Sequence, residues 1–207
     1  MTAAIDGRFS GKTVIVTGAG SGIGKATAVR LAAEGAKVVA TDVVAERLTV
    51  LAEEVAGIAT VAGDVADDAT IEALMAAAGG KVDGLANVAG IMDNFLPPAE
   101  IDDALWERVF AVNVTAPMKL TKAVLPGMIE TGAGTIVNVS SEASLRASAS
   151  GAAYGASKAA LNSFTKSVAF FYGPKGVRAN VVAPGGVATN IEANIRRAKA
   201  SEEASSA

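Results

Sequence analysis

Short apolar runs alternate with longer amphipathic segments along most of the chain. Six runs have the length and the apolar, largely β-branched character of buried strands: residues 12–18, 36–42, 58–65, 82–90, 134–141 and 177–186. Helical periodicity lies between them at 25–35, 45–56, about 68–78, 102–129 with a bend near Pro117, and 152–172. Strands that are apolar throughout are typical of a sheet covered on both faces, and regular β–α alternation gives parallel strands. We therefore predict a doubly wound α/β fold (a Rossmann fold) with helices on both faces.

Composition narrows the classes of protein to consider. The chain has 207 residues and a net charge of −3 with interspersed signs, which gives no basic footprint for nucleic acid. It has no run of 18 strongly apolar residues and no N-terminal signal pattern, so we expect neither a membrane partner nor secretion. We therefore expect one domain at residues 1–190 in a cytoplasmic protein, followed by a polar segment rich in Ala and Ser at 191–207.

Two residue types are missing, and this limits the available chemistry. Without cysteine the chain has no disulfide and no thiolate nucleophile. Without histidine it lacks the commonest general base and the commonest metal ligand, so we predict no metal site. Proton transfer would have to use tyrosine, lysine or a carboxylate.

A glycine-rich turn follows the first predicted strand. In TGAGSGIG, residues 17–24, the glycines at 18, 22 and 24 permit a tight turn and close approach of a pyrophosphate to a helix N-terminus. Asp42 ends the next strand, where a carboxylate accepts hydrogen bonds from a ribose diol and repels a 2′-phosphate. This pattern predicts a dinucleotide site that favours NAD over NADP, although Arg47 nearby leaves NADP open.

The stretch YGASK, residues 154–158, places a phenol and an ammonium four residues apart among small side chains. Such a spacing brings Tyr154 and Lys158 to one face of a helix, and most pairs of this kind only mark a solvated face. The alternative is a catalytic acid beside a cation that favours its phenolate form.

Taken together, these motifs resemble those of the short-chain dehydrogenase/reductase (SDR) family over about residues 12–190. The resemblance rests on TGAGSGIG, GDV at 63–65, NVAG at 87–90, Asn113, IVNVSS ending at Ser141, YGASK, and APGGVATN at 183–190. It implies an NAD-dependent oxidoreductase that interconverts a secondary alcohol and a ketone, with Tyr154 as general acid and base.

The resemblance also implies roles for individual residues. The catalytic set would be Asn113, Ser141, Tyr154 and Lys158, where Ser141 holds the substrate oxygen, Lys158 binds the nicotinamide ribose and Asn113 supports a proton-relaying water. The thirteen-residue step to Tyr154 favours Ser141 over Ser140. The cofactor would contact Tyr154 and Lys158 together with Gly18, Ser21, Gly22, Ile23, Gly24, Asp42, Asp64, Val65, Asn87, Ala89, Gly90, Pro184, Gly185, Val187 and Thr189.

The sequence departs from the family pattern in two places. Val88 replaces the second asparagine of the usual N-N-A-G, a change that packing at a strand end tolerates. The pattern also shows no seventh strand after residue 186, so the sixth strand would be an uncovered edge, and 191–207 would be a tail or part of a substrate-loop helix.

Two functional alternatives stay open on the sequence alone. One is a dinucleotide-binding sensor or scaffold without catalysis, and the other is an inactive fragment of such an enzyme. The family resemblance further implies a homodimer or homotetramer paired through the helices at 102–129 and 152–172. We expect the aromatic residues of these segments to lie in the core or in subunit contacts: Trp106, Phe110, Phe164, Phe170 and Phe171.

Overall fold

The structure is a computed structural model that describes residues 3–189 and 191. Within these residues six strands form one sheet: β1 (Thr13–Thr17), β2 (Lys37–Asp42), β3 (Ala59–Ala62), β4 (Gly84–Asn87), β5 (Gly134–Val139) and β6 (Val177–Val182). Their order in the sheet is β3-β2-β1-β4-β5-β6, and every neighbouring pair is parallel. The predicted doubly wound sheet is confirmed.

Helices cover both faces of this sheet: α1 (Gly22–Ala33), α2 (Ala45–Glu54), α3 (Asp68–Ala78), α4 (Asp103–Phe110), α5 (Ala116–Glu130) and α6 (Ala152–Tyr172). Successive side chains of a strand point to opposite faces. Val14 and Val16 of β1 accordingly pack in the cluster that contains α1 and α2, whereas Ile15 between them packs in the cluster of α3, α5 and α6. The central strand is therefore buried from both sides, which explains its uninterrupted apolar sequence.

The direction of winding reverses at β1. Its neighbours are β2 on one side and β4 on the other, with Thr17 paired to Thr41 and Val16 paired to Ala86. A crevice forms at such a switch point, beyond the carboxyl ends of the strands. This is the edge at which the sequence concentrates its glycines and polar motif residues.

Several predicted boundaries differ from the structure. The last strand ends at Val182 instead of residue 186, because Pro184 has no N–H to donate to a ladder. The predicted helix at 102–129 is interrupted by a π-helical turn at Ala111–Thr115 that separates α4 from α5. This turn ends two residues before Pro117, near which a bend was predicted, and Pro117 itself lies in the first turn of α5, a position that proline tolerates.

The strand β6 forms one edge of the sheet. Val177 and Ala179 are buried beneath α6, while Arg178, Asn180 and Val182 point to the opposite face and are exposed. Apart from Ile191, the predicted segment 191–207 lies outside the described residues. Across residues 3–189 and 191, no helix is long and apolar enough to cross a bilayer, and no cluster of three or more acidic side chains could hold a metal ion.

Candidate active site

The carboxyl ends of the strands surround a cavity of about 540 Å³. Of the residues that the sequence analysis assigned to a cofactor or to catalysis, all but two line it. They are Gly18, Ser21, Gly22, Ile23, Gly24, Asp42, Asp64, Val65, Ala89, Gly90, Ser141, Tyr154, Lys158, Pro184, Gly185, Val187 and Thr189. Asn87 and Asn113 lie behind the cavity wall.

The glycine turn forms the floor at the start of α1. Gly18 has a φ of +63°, and a Cβ there would lie 2.9 Å from the backbone N and Cα of Ala89. A Cβ at Gly24 would lie 2.0 Å from the carbonyl oxygen of Gly18. Ser21, the N-cap of α1, makes no side-chain cap bond to the described residues, and the first turn carries no acidic residue. A helix start without a capping side chain or an acidic residue in its first turn can take a pyrophosphate on its amides, so this turn fits a dinucleotide.

Asp42 closes the cavity at the end of β2. Its Oδ2 accepts a hydrogen bond from the Gly20 amide at 2.9 Å and its Oδ1 accepts one from the Val44 amide at 3.0 Å. Arg47 approaches the same carboxylate at 3.9 Å. The carboxylate is thus held in place by backbone of the glycine turn, with lone pairs left to accept further hydrogen bonds.

Asp64 and Val65 follow β3 on the same side of the cavity. The Asp64 Oδ1 accepts a hydrogen bond from the Ala66 amide at 2.9 Å, and its Oδ2 forms an ion pair with Arg108 of α4. Arg108 itself lines the cavity. Sequence reasoning missed Arg108 because its partner lies 44 residues earlier in the chain.

Tyr154 and Lys158 project from the first turns of α6 into the opposite end of the cavity. Tyr154 is 7% exposed and Lys158 is 3% exposed. The Lys158 Nζ lies 5.6 Å from the centroid of the Tyr154 ring and donates a hydrogen bond to the Val139 carbonyl at 3.0 Å. Burial lowers the pKa of Lys158 to about 8. The two side chains therefore share a face that is buried, not the solvated face that such a pair usually marks.

The electrostatics of Tyr154 differ from the sequence-based expectation. Burial raises the pKa of the Tyr154 phenol above its ordinary value, a hydrogen bond with Ser141 acts in the opposite direction, and the charge of Asp93 adds to the increase. We expected Lys158 to lower this pKa, but in the protein alone Ser141 is the group that does so. The phenol is therefore protonated at neutral pH and is ready to donate a proton.

Ser141 follows β5 and lies near the phenol. Its Oγ also accepts a hydrogen bond from the Ala143 amide at 3.2 Å, so it caps the short turn that begins there. The capping alternative and a place in the cavity are thus both observed for this residue. Next to it, the Glu142 amide donates to the Pro184 carbonyl at 2.9 Å and holds the loop of residues 184–189 over the cavity.

Asn113 lies in the π-helical turn and connects two walls of the cavity from behind. Its Oδ1 accepts from the Ile91 amide at 2.9 Å, and its Nδ2 donates to the Ile91 carbonyl at 2.9 Å and to the Ser157 Oγ at 3.0 Å. Ser157 in turn donates to the Tyr154 carbonyl at 2.7 Å. Sequence reasoning missed Ser157. A hydroxyl three residues after Tyr154, on the same face of the predicted helix, is the signal that could have indicated it.

Asn87 lies in the sheet interior. Its Nδ2 donates to Asn138 Oδ1 at 2.8 Å, and Asn138 Nδ2 donates to Thr165 Oγ1 at 2.8 Å. This chain of two side-chain amides and one hydroxyl joins β4, β5 and α6 beneath the cavity. The structure thus gives Asn87 a contact with Asn138 and places it away from the cavity surface.

Comparison with known proteins agrees with this geometry. Residues 12–200 match the family described as short chain dehydrogenase. The chain is 43% identical over 188 residues to the short-chain dehydrogenase/reductase cdmF of Talaromyces verruculosus, covering 89% of this chain and 73% of that protein.

Solved structures of dehydrogenases and reductases are also similar to this chain. Levodione reductase superposes with a TM-score of 0.84 at 36% identity, covering 89% of this chain and 75% of that one. The 3-ketoacyl-(acyl-carrier-protein) reductase of Brucella melitensis, complexed with NADH, has a TM-score of 0.84 at 32% identity and covers 88% and 78%. A protein of Beutenbergia cavernae described as an NAD(P)-dependent gluconate 5-dehydrogenase, with bound NADP, has a TM-score of 0.83 at 34% identity and covers 91% and 77%.

Proposed function

Because the chain belongs to the short-chain dehydrogenase family, we propose that it is an oxidoreductase that uses NAD to interconvert a secondary alcohol and a ketone. The observation that carries the proposal is the arrangement of Tyr154, Lys158 and Ser141 in the cavity that begins at the glycine turn. The names of the three structures above, two reductases and a dehydrogenase, support this class of reaction.

The proposed proton transfer uses Tyr154. In the direction of reduction, the Ser141 hydroxyl holds the carbonyl oxygen and the neutral phenol donates its proton to that oxygen. In oxidation the phenolate takes the proton of the alcohol. The nicotinamide, when bound, donates or accepts the hydride. Because the pKa of the phenol is raised in the protein alone, oxidation requires added positive charge beside it, which the oxidised cofactor would supply when bound.

Lys158 and Asn113 have supporting roles in this proposal. A Cβ at Gly90 would lie 3.1 Å from Lys158 Nζ and 3.3 Å from Asn113 Oδ1, so both polar groups flank the strand-end backbone beside the cavity. Lys158 would bind the ribose and hold a proton, since a pKa of about 8 lets it exchange one near neutral pH. Asn113 would support the water through which that proton reaches solvent.

The proposed preference for NAD over NADP rests on Asp42. Its carboxylate lines the cavity at the end of β2, and the 2′-phosphate of a ribose bound there would meet this negative charge. Arg47 is the nearest cation and is engaged with the same carboxylate. The family itself admits both cofactors, as the NADH and NADP complexes above illustrate.

Subunit association is also part of the proposal. Phe170 and Phe171, near the end of α6, are 75% and 65% exposed, and Met118 of α5 is exposed as well. Of the two places expected for these phenylalanines, the core or a subunit contact, their exposure favours contact with a second copy through α5 and α6. Light scattering of the protein and of a Phe170→Ser/Phe171→Ser variant tests this. We expect a dimer or tetramer for the first and smaller species for the second, and a monomeric parent would contradict it.

The test of the activity is calorimetric titration with NAD⁺ and NADP⁺, followed by a turnover screen of secondary alcohols and ketones. Tyr154→Phe should lower turnover by about 10²-fold or more while NAD⁺ still binds. Tyr172→Phe, which changes the only other tyrosine, should keep turnover. Unchanged turnover in Tyr154→Phe would contradict the mechanism. Binding of NAD⁺ without turnover of any substrate would favour the sensor alternative.

A further inference from the structure

Asp93 is a fully buried carboxylate that lies behind the active site. It belongs to the loop after β4, and its exposed fraction is 0%. Its Oδ2 accepts a hydrogen bond from the Tyr154 amide at 2.9 Å, and its Oδ1 accepts one from the Phe95 amide at 3.3 Å. A carboxylate is rarely buried to this extent without a specific partner, and here the main partner is the backbone of the tyrosine assigned to proton transfer.

The Asp93 carboxylate helps to cap the N-terminus of α6. Gly151 is the N-cap of this helix and has no side chain to satisfy the free amides of the first turn. The loop of residues 93–96 satisfies two of them, because the Leu96 carbonyl accepts from the Ala152 amide at 3.1 Å and Asp93 accepts from Tyr154. The cap therefore comes from a segment about sixty residues earlier in the chain.

The same loop carries unusual backbone and forms part of the cavity wall. Asn94 and Phe95 have φ values of +57° and +62°, a region that bulky residues seldom adopt. Both line the cavity beside Ile91 and Met92. Backbone of this kind persists only where surrounding contacts fix it. Asp93 supplies two such contacts: its side chain accepts from the Phe95 amide, and its carbonyl accepts from the Leu96 amide at 3.2 Å.

Gly151 shows how closely the helix and the carboxylate pack. A Cβ at residue 151 would lie 2.3 Å from Asp93 Oδ1 and 2.5 Å from its Oδ2. The glycine is needed here for space, since its φ of −71° is open to any residue.

We propose that Asp93 is a positioning residue of the reaction, which fastens the cavity loop of residues 93–96 to the first turn of α6 and thereby fixes the Tyr154 phenol relative to the substrate. The inference rests on the proposed function in so far as Tyr154 is the proton-transfer group. Asp93 does not line the cavity, so it acts through the residues that it holds.

The charge of Asp93 adds a second effect. Burial is the main cause that raises the pKa of Tyr154, Ser141 opposes it, and the negative charge of Asp93 raises it further. Among the described residues, the other charged groups on α6 and on the elements packed against it are Lys158 and Lys166, the Glu142–Arg146 pair, Asp103, Glu107 and Arg108 of α4, Lys119, Lys122 and Glu130 of α5, Lys175 and Arg178. Of these only Lys158 shares the buried space of the phenol.

Two replacements separate the two effects of Asp93. Asp93→Asn keeps an acceptor for the Tyr154 amide and removes the charge, whereas Asp93→Ala removes both. Asp102→Asn is the matched control, because Asp102 caps α4 through the Leu105 amide at 2.7 Å and is exposed. All are made in a Tyr172→Phe background, which leaves Tyr154 as the only tyrosine. Thermal unfolding and the near-ultraviolet absorbance of tyrosinate are then measured, and neither needs a substrate.

We expect Asp93→Ala to unfold at a lower temperature than the parent and Asp93→Asn to recover most of the loss. At the highest pH where all variants remain folded, Asp93→Asn should show a larger tyrosinate fraction than the parent and Asp102→Asn an unchanged one. Gly151→Ala should resemble Asp93→Ala, whereas Gly173→Ala, where nothing lies within 4 Å of the added carbon, should not.

Equal unfolding temperatures for Asp93→Ala and the parent would overturn the positioning role. A tyrosinate fraction in Asp93→Asn no larger than in the parent would overturn the charge effect. If the parent shows turnover, the alkaline limb of the pH–rate profile for reduction should lie at lower pH in Asp93→Asn than in the parent. If the proposed function is wrong, the parent shows no turnover. The unfolding temperature and the tyrosinate fraction, which need no substrate, still test the role of Asp93.

Discussion

The Lys158 ammonium donates a hydrogen bond to the carbonyl oxygen of Val139, the last residue of β5, at 3.0 Å. The helix that carries the lysine is thereby tied to the strand end from which Ser141 follows two residues later. Lys158 is almost fully buried, and this burial is the cause that lowers the pKa of its ammonium group.

This burial predicts a pH-dependent contribution to stability. The pKa of Lys158 is about 8 in the folded protein and 10.5 ordinarily, so the unfolded chain binds more protons between these values and stability rises with pH there. Below pH 8 the folded protein carries the full cost of the buried charge. Lys158→Met removes that cost and its pH dependence. Because the parent becomes more stable as the pH rises, the free energy of unfolding of the variant minus that of the parent should fall by about 2–3 kcal/mol from pH 7 to pH 10. Urea unfolding at several pH values measures this difference.

The control for that experiment is Lys166→Met, which removes an exposed lysine from the same helix. Its stability relative to the parent should stay constant over the same range. Parallel pH curves for Lys158→Met and the parent would show that the lysine is protonated to the same extent in the folded and unfolded states.

Asp42→Asn should weaken the preference for NAD⁺ over NADP⁺. The amide removes the charge that opposes a 2′-phosphate and frees Arg47, 3.9 Å away, to meet it. We expect the ratio of the two dissociation constants to shift toward NADP⁺ by about tenfold, equivalent to about 1.4 kcal/mol. Calorimetric titration measures both constants. Asp83→Asn is the matched control. The Asp83 carboxylate also accepts a hydrogen bond from a backbone amide (Thr13, 3.0 Å), but it lies at the amino end of β1, so its loss should leave the ratio unchanged.

Gly24→Ala should abolish dinucleotide binding. Its Cβ would lie 2.0 Å from the Gly18 carbonyl oxygen, so either the turn or the start of α1 must move. Gly127→Ala is the matched control within α5, where the nearest atom lies 3.8 Å from the added carbon and the helix should gain about 1 kcal/mol. Calorimetry and thermal unfolding of both variants test this contrast, and retained NAD⁺ affinity in Gly24→Ala would contradict the assignment of the turn.

Asn113 and Ser157 should be energetically coupled. Asn113→Ala leaves the Ile91 amide and carbonyl without their partner and should cost about 2–4 kcal/mol, while Ser157→Ala should cost about 1 kcal/mol. The double variant should lose less than the sum, with a coupling of at least about 0.5 kcal/mol. Urea unfolding of the four proteins completes the cycle. Ser167→Ala, an exposed serine of α6, should be additive with Asn113→Ala.

Sequence patterns predicted those parts of the molecule in which local chemistry decides the structure. The Val-Ile-Val run of β1 could only be a strand buried on both faces, and the glycines of residues 18–24 required a turn between that strand and a helix. Position along a parallel sheet then brought Asp42, Ser141 and Tyr154 to one edge.

Contacts between distant segments were beyond such reasoning. Nothing near Asp93 indicates that its carboxylate reaches the amide of Tyr154, and nothing near Arg108 indicates Asp64. The strength of burial around Tyr154 was also hidden, because a tyrosine and a lysine four residues apart on a helix usually mark a solvated face. For this reason the expected effect of Lys158 on the phenol does not appear in the protein alone.

The π-helical turn at Ala111–Thr115 gives the segment from α4 to α5 one residue more than an uninterrupted α-helix would need. The wide turn takes up this extra residue, so Leu120, Val124 and Met128 of α5 still face the sheet while Asn113 reaches Ile91 and Ser157. Removing one residue here would leave an ordinary helix without the turn that presents Asn113. Such a deletion should therefore spare the packing of α5 and disrupt the wall behind the cavity, whereas a deletion within α5 would rotate the rest of that helix by about 100°.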